Sequence, residues 1–226
     1  MTARHDLVWL SDAGWDAAQQ TATPAQQPVL AHWRQAGWPA TVRRRDADAA
    51  PDQVCLGLTL PIDDNGAARM RLGLRCRHSE VARRRRPLSL QEAAPALPPA
   101  WRAAYASLER QAALARLDMR VYGSLALQAA TGAPYLTARS DIDLAFFPSD
   151  AVQLDDGLAL LDDASRHLPL DGEIVFPSGQ AVAWKEWRNA ASTPGRTKVL
   201  VKDIDRVLLA GPADLLDEFT ERMCRT

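Results

Sequence analysis

Gly123-Ser124, followed after sixteen residues by Asp141-Ile142-Asp143, is the stretch of this 226-residue chain whose residue types suit phosphoryl chemistry. A Gly-Ser that closes a strand and opens a helix presents backbone N–H groups and a hydroxyl at a helix N-terminus. That setting favours an anion such as a triphosphate. Asp141 and Asp143 are two apart, so on a strand both carboxylates project from one face while Ile142 and Leu144 point into the core. Two like charges on one face repel unless a cation lies between them, and hard oxygen ligands suit Mg2+. A metal-binding pair beside a phosphate cradle is the arrangement for in-line attack at phosphorus. Taken singly, each string has an ordinary explanation: a capped turn for Gly-Ser, a solvated strand edge for Asp-x-Asp. Their order, with a helix between them, favours the catalytic one. Asp203-Ile204-Asp205 repeats the second string with no Gly-Ser junction before it, and is expected to be a turn.

The elements that must hold these residues follow from periodicity. Met119 to Tyr122 reads as a short strand ending at Gly123-Ser124, and Leu125 to Thr131 as a helix with Ser124 as N-cap and Gly132 as its stop. Ile142 to Phe147 is a strand bounded by Pro148, and Ala151 to His167 a helix. Glu173–Phe176 and Ala181–Trp184 flank Pro177-Ser-Gly-Gln180 as a hairpin; Lys198–Lys202 is a further strand and Ala213–Met223 a closing helix. Upstream, Trp101 to Leu117 has helical spacing, and Pro95-Ala-Leu-Pro98-Pro99 forms a seam that no helix can cross. Before the seam the pattern is strand-like. Val54, Leu56, Leu58 and Leu60 alternate with smaller residues, then Asp63-Asp64-Asn65-Gly66 turns the chain. Met70, Leu72, Leu74 and Cys76 then alternate with Arg69, Arg71, Arg75 and Arg77. Trp38 to Val42 is a weaker strand. The expected architecture is α+β: a β-rich, arginine-rich N-terminal domain over 1–95, then a mixed sheet flanked by helices over 100–226.

Composition bounds the partners. Hydrophobic content of 47% and charged content of 24% are those of a globular chain. The net charge of −1 conceals +5 over residues 1–120 and −6 over the remainder. With no uniform basic surface and no aromatic interleaving among the arginines, a nucleic-acid partner is not expected. Cys55, Cys76 and Cys224 form no CxxC pair, and Cys76 with His78 lacks a second ligand pair, so neither a disulfide framework nor a zinc site is expected. Met1 to Leu10 lacks the apolar stretch of a signal peptide, and no run is long enough to span a bilayer. A cytoplasmic protein with no membrane partner is the expectation.

Gly-Ser followed by Asp-x-Asp resembles the signature of the DNA-polymerase-β-like nucleotidyltransferase superfamily. The sixteen-residue spacer is longer than is usual there, and suits one narrower group, the malonate decarboxylase holo-acyl-carrier-protein synthases, or phosphoribosyl-dephospho-CoA transferases. His5-Asp6-Leu7-Val8-Trp9-Leu10 resembles that family's opening, and Gly37-Trp38-Pro39 with Val42-Arg43-Arg44-Arg45 its next landmark. Gly123-Ser124-Leu-Ala, Thr131-Gly132-Ala-Pro-Tyr135 and Ser140-Asp141-Ile-Asp143-Leu are similar to its catalytic core. Asp171-Gly172-Glu173, Val182-Ala-Trp184 and Val201-Lys202 resemble its closing segments.

The resemblance implies a nucleotidyltransferase-type fold and a reaction. The donor would be 2′-(5-triphosphoribosyl)-3′-dephospho-CoA, and the acceptor a serine of the apo acyl-carrier subunit of malonate decarboxylase, with pyrophosphate released. Asp141 and Asp143 would bind Mg2+ or Mn2+, and Gly123 and Ser124 would hold the leaving pyrophosphate. A third carboxylate is implied on a later strand. Glu173, at the start of the strand after the long helix, is the candidate to complete the metal site or take the proton, with Asp171 as its rival. Arg139, Lys185 and Lys202 are candidate phosphate contacts, Lys202 with support from the family pattern, and Lys198 shares its face. The first-half arginines, Arg69 to Arg77 and Arg83 to Arg86, leave three roles open: a wet sheet face, a dock for an acidic protein, or a contact for CoA-like phosphates. The rival functions are transfer to another acceptor and non-catalytic binding of a CoA-like ligand or a partner.

Overall fold

A computed structural model describes residues 2–62, 70–191 and 197–223. The expected turn at 63–66, Arg69 and Cys224 lie outside them. The first sheet contains β1 (Leu7–Leu10), β2 (Ala40–Val42), β3 (Gln53–Thr59), β4 (Arg71–Arg77) and β5 (Val81–Arg85), in the order β4-β3-β2-β1-β5 and antiparallel throughout. β3 and β4 pair from Gln53↔Arg77 to Thr59↔Arg71, the hairpin that the alternation predicts. Val54, Leu56, Leu58, Leu72 and Cys76 turn to a buried face.

That face is covered by α1 (Asp12–Thr21) and α2 (Gln27–Ala36), through Trp15, Ala18, Leu30 and Trp33. Neither helix was expected of a β-rich domain. Each is marked by its ends: Ser11 Oγ accepts the Gly14 N–H at 3.2 Å, and Gly37 ends α2 in the left-handed region with φ 64°. Cys55 and Cys76 are buried and unbridged, and burial pushes the Cys76 thiol up to about 12, so it packs as a small apolar group.

The chain changes sheet at Arg86-Pro87, ahead of the proline seam. β6 (Leu88–Ser89) already pairs with β7 (Asp118–Tyr122) of the second sheet, and the short α3 (Leu90–Ala93) follows it. The seam prolines sit where helices tolerate them: Pro95 in a 3-10 turn and Pro99 at the start of α4 (Pro99–Leu114). The remaining elements are α5 (Gly123–Thr131), β8 (Ile142–Phe147), α6 (Ala151–Ala164), β9 (Leu170–Val175), β10 (Ala181–Ala183), α7 (Trp184–Ala191), β11 (Val199–Lys202), β12 (Val207–Ala210) and α8 (Pro212–Met223). The sheet order is β12-β11-β10-β9-β8-β7-β6, with β8 and β9 parallel across the α6 crossover and every other pair antiparallel. The molecule is α+β. Asp203-Ile204-Asp205 is a turn between β11 and β12, in which Asp203 Oδ1 accepts the N–H groups of Asp205 and Arg206 at 2.6 and 2.7 Å.

The two sheets are joined at several points. Leu7 of the first buries itself in the core of the second, while Ile204 of the second packs against the core of the first. The Arg45 N–H donates to the Ile204 carbonyl at 2.7 Å, and the Ile62 N–H to that of Pro134 at 2.9 Å. Among the described residues, no helix is long and apolar enough to cross a membrane.

Candidate active site

β7 runs directly into α5, so Tyr122 is the last strand residue and Gly123 the first helical one. The helix starts two residues earlier than expected. Ser124 therefore lies within its first turn, and the N-cap position belongs to Tyr122, which makes no side-chain cap bond. Gly123 holds φ at +66°, and a Cβ on it would stand 2.0 Å from Asp143 Oδ2. The missing side chain is what lets the Asp143 carboxylate settle against the start of the helix. The Gly-Ser junction and the second aspartate, 20 positions apart by number, are thus in contact.

Asp143 is half-buried at the second position of β8, paired with Tyr122 on one side and Asp171 on the other. Asp141 precedes β8 by one residue and is exposed. It follows a tight turn in which the Thr137 N–H donates to Ser140 Oγ at 2.9 Å and the Ser140 N–H to the Thr137 carbonyl at 3.1 Å. Arg139 is exposed on that turn.

β9 is pressed close to β8 at Gly172, where a Cβ would meet the Leu144 carbonyl oxygen at 1.9 Å. In the resulting parallel register Asp143 lies opposite Asp171, and Ala145 opposite Glu173. All of these residues share one face of the sheet. β9 begins at Leu170, so Glu173 is its fourth residue rather than its first. Of the two candidates for a third carboxylate, Asp171 is the one directly beside Asp143.

Glu173 is engaged elsewhere. Its side chain is 5% exposed; Oε1 meets His5 Nε2 at 2.9 Å and Oε2 accepts from Arg4 Nη2 at 3.1 Å. Burial pushes its carboxyl up, but the His5 hydrogen bond and the nearby His5 and Arg4 charges outweigh this, so it stays below its ordinary value. His5 in turn stacks on Tyr122 with ring centroids 3.8 Å apart. Burial, with Glu173 and Asp143 nearby, raises the Tyr122 phenol well above the usual range, and it stays neutral.

A cleft of about 720 Å3 lies between the two sheets, and Ser124, Asp141, Asp171 and Glu173 stand outside its lining. The second sheet contributes Tyr122, Gly123, Asp143 and Lys202; the first contributes Arg4, His5, Arg43, Arg44 and Arg71. Lys202 thus lines the cleft, whereas Lys185, on α7, is outside the cleft lining and pairs with Asp171 at 3.6 Å. Lys198 is exposed just before β11.

The rest of the arginine row is largely neutralised within the protein. Arg75 meets Asp46 at 2.9 Å and Asp48 at 2.5 Å, Arg77 is 3.8 Å from Asp52, and Arg83 covers the Trp9 ring at 3.6 Å. Arg84, Arg85 and Arg86 pair with Asp6, Glu92 and Asp118 at 2.5, 2.7 and 2.8 Å. Arg83 to Arg85 belong to β5, an edge strand whose backbone pairs with β1. A free positive row for docking is not what these residues form.

Comparison with known families meets this geometry. A profile described as "Phosphoribosyl-dephospho-CoA transferase MdcG C-terminal domain" matches residues 89–213, and its N-terminal counterpart matches residues 3–87. The chain belongs to this family. It is an enzyme, a transferase. A curated relative from Xanthomonas campestris pv. campestris, named phosphoribosyl-dephospho-CoA transferase, is 39% identical over 91% of this chain and 92% of its own. One of the same name from Bradyrhizobium diazoefficiens is 38% identical over 91% and 88%, and one from Pseudomonas aeruginosa 33% over 77% and 78%. No solved structure matches the chain.

In this transferase Arg4 and His5 are the site residues that sequence reasoning left without a role. The one signal for them was the family-like opening at His5, which carries no chemistry of its own. Their pairing with Glu173 predicts an acid-sensitive fold. A carboxyl held below its ordinary value near 4.5 stabilises the fold above that value and loses the contribution as pH falls through the lowered one. Glu173→Gln should reduce stability at neutral pH by about 3 kcal/mol, the scale for breaking a buried pair. It should also flatten the acid limb of the wild-type stability profile in thermal melts. An unchanged limb would show that the pair carries no such load.

Proposed function

We propose that this transferase moves the phosphoribosyl-dephospho-CoA group of 2′-(5-triphosphoribosyl)-3′-dephospho-CoA to a serine of the apo acyl-carrier subunit of malonate decarboxylase, releasing pyrophosphate. The observation that carries the proposal is the Asp143 carboxylate seated on the Gly123 helix start, in a cleft with a basic opposite wall. The relatives' names supply the transferred group, and the resemblance of the motifs supplies the acceptor.

The serine oxygen attacks the α-phosphorus, the bond from that phosphorus to the α–β bridging oxygen breaks, and pyrophosphate leaves with the bonding pair. The α5 N-terminus at Gly123 and Ser124 offers N–H donors to the departing phosphates, and Lys202 adds a cation on the same side of the cleft. Asp171, beside Asp143 and with one oxygen 3.6 Å from Lys185, would take the serine proton, since both Glu173 oxygens are held by His5 and Arg4. Arg139 and Lys185 would act from outside the cleft lining, on parts of the donor or carrier that project from it.

Asp141 and Asp143 would hold Mg2+ or Mn2+, which when bound neutralises phosphate charge and acidifies the attacking hydroxyl. The donor set fits such an ion. The described residues gather no cluster of three or more ligating side chains, and Mg2+ is commonly held by one or two carboxylates with substrate phosphates and water completing its shell. Chelation should accordingly stop turnover and added Mg2+ restore it; full turnover in excess chelator would refute a metal-assisted reaction.

A cytoplasmic setting suits the role, since two buried, unbridged thiols belong in a reducing compartment. The test of the whole proposal is direct. The protein is incubated with the donor, Mg2+ and apo carrier, and pyrophosphate release and carrier mass are followed together. Release with the matching gain on the carrier supports it. Release with the gain on another molecule moves the enzyme to a different acceptor, and no release overturns it.

A further inference from the structure

We propose that Arg44 and Arg71 form a second phosphate subsite, which takes the diphosphate of the donor's dephospho-CoA moiety and so selects this donor over ordinary nucleoside triphosphates. The inference rests on the donor assigned above and gives the N-terminal domain its part in the reaction.

The described arginines of this domain differ in what they meet: Arg4 and Arg34 pair with carboxylates, and Arg83 covers the Trp9 ring. Arg43, Arg45, Arg75, Arg77, Arg84, Arg85 and Arg86 each have a carboxylate within 4.0 Å. Arg44 and Arg71 are exposed, border the cleft, and make no ion pair among the described residues. Their position follows from the sheet. Thr41 pairs with Gly57, Gly57 with Gly73 and Thr59 with Arg71, so one face of β2–β3–β4 is built of small residues with Arg71 beside them. Arg43 lies along this floor, 3.9 Å from the Cβ position of Gly57 and 3.3 Å from that of Gly73. It is held there by Asp46 and by the Leu56 carbonyl, to which its Nε donates at 3.1 Å. Arg43 is thereby spent on the fold, and its neighbour Arg44 is left to the cleft.

The donor has two anionic groups, a triphosphate and the diphosphate that joins adenosine to the pantetheine arm. The Gly123 junction and the Asp143 carboxylate sit on the second-domain wall and suit the triphosphate end. Two guanidinium groups with no ion pair among the described residues, on the opposing wall of the same cleft, suit the other group. Guanidinium forks match phosphate oxygens and do not lose their charge at any working pH.

Dephospho-CoA, which carries the diphosphate but no triphosphate, isolates this subsite from the reacting centre. Its binding to the full chain is titrated by calorimetry in metal-free buffer, for wild type, Arg44→Ala, Arg71→Ala and Arg75→Ala. Each of the first two substitutions should weaken binding about tenfold, as for loss of a hydrogen bond to a charged group. Arg75→Ala should bind as wild type does. In the transfer reaction, Arg44→Ala and Arg71→Ala should raise the donor KM with little change in kcat. No binding to wild type, or equal binding by all variants, overturns the subsite. Failure of the transfer reaction itself is a separate result: if wild type binds dephospho-CoA through both arginines but moves nothing to the carrier, the subsite stands and the assigned reaction falls.

Discussion

Asp141→Asn and Asp143→Asn should each lower transfer by at least ~100-fold, the scale for removing a principal electrostatic stabiliser from a reacting centre. An amide keeps the shape of the side chain but loses the charge that would hold a cation among phosphates. The two variants should differ in one respect. Asp141 is exposed and ahead of the strand, so its replacement should leave the melting temperature unchanged, whereas Asp143 is half-buried against Gly123. Asp203→Asn is the internal control, because an asparagine oxygen can still accept the two backbone N–H groups that Asp203 Oδ1 holds. Steady-state transfer rates decide the matter. Near-wild-type activity in either of the first two, or a comparable loss in the third, would remove Asp141-Ile142-Asp143 from the centre.

Gly123→Ala should be as damaging, for a steric reason rather than an electrostatic one. The new Cβ would need space that Asp143 Oδ2 already occupies at 2.0 Å, in a backbone with φ at +66°. Backbone strain of this kind costs about 1–3 kcal/mol, and the carboxylate must also move from the helix start. Loss of transfer should therefore exceed ~100-fold, as for a reacting group displaced by about an ångström. Combining the change with Asp143→Ala separates the two effects. The double variant should recover part of the lost stability by relieving the clash, and no activity. If Gly123→Ala alone transfers at the wild-type rate, the contact is not part of the centre.

Much of the second half was legible because its strands are central and its breaks are marked. β8 spans Ile142–Phe147, as alternation and Pro148 predict, and Gly132 ends α5 with φ 73°. Gly123 and Asp143, one residue from each of the two strings, also meet. The first half was harder. Trp15, Ala18, Leu30 and Trp33 bury α1 and α2, but so few apolar residues among Gln, Ala and Thr give a faint helical period. β5 is a run of arginines at a sheet edge, where backbone pairing with β1 makes the strand and no apolar alternation is needed. Ion pairs are the least visible. The carboxylates that neutralise Arg75 lie in the loop at Asp46 and Asp48, and the partners of Glu173 are 168 and 169 residues away. Nothing local in the sequence announces such contacts. They decided both the fate of Glu173 and which arginines remain for the cleft.

The paired seams between the sheets bear on how such chains can be inherited. Arg4 and His5 belong to one half and Glu173 to the other; Leu7, with Trp9 beside it, packs into the core of the second sheet, and Ile204 packs against that of the first. A recombination event that exchanged the first 87 residues between relatives would bring a foreign partner to each of these contacts at once. A substitution at Glu173 alone would strand Arg4 and leave His5 without its partner, and one at Arg4 alone would weaken the hold on a buried carboxylate. The halves are thus expected to drift together, with changes at positions 4, 5 and 173 fixed as a set. Chimaeras cut at the change of sheet should fold less well than either parent unless those three positions travel from one source.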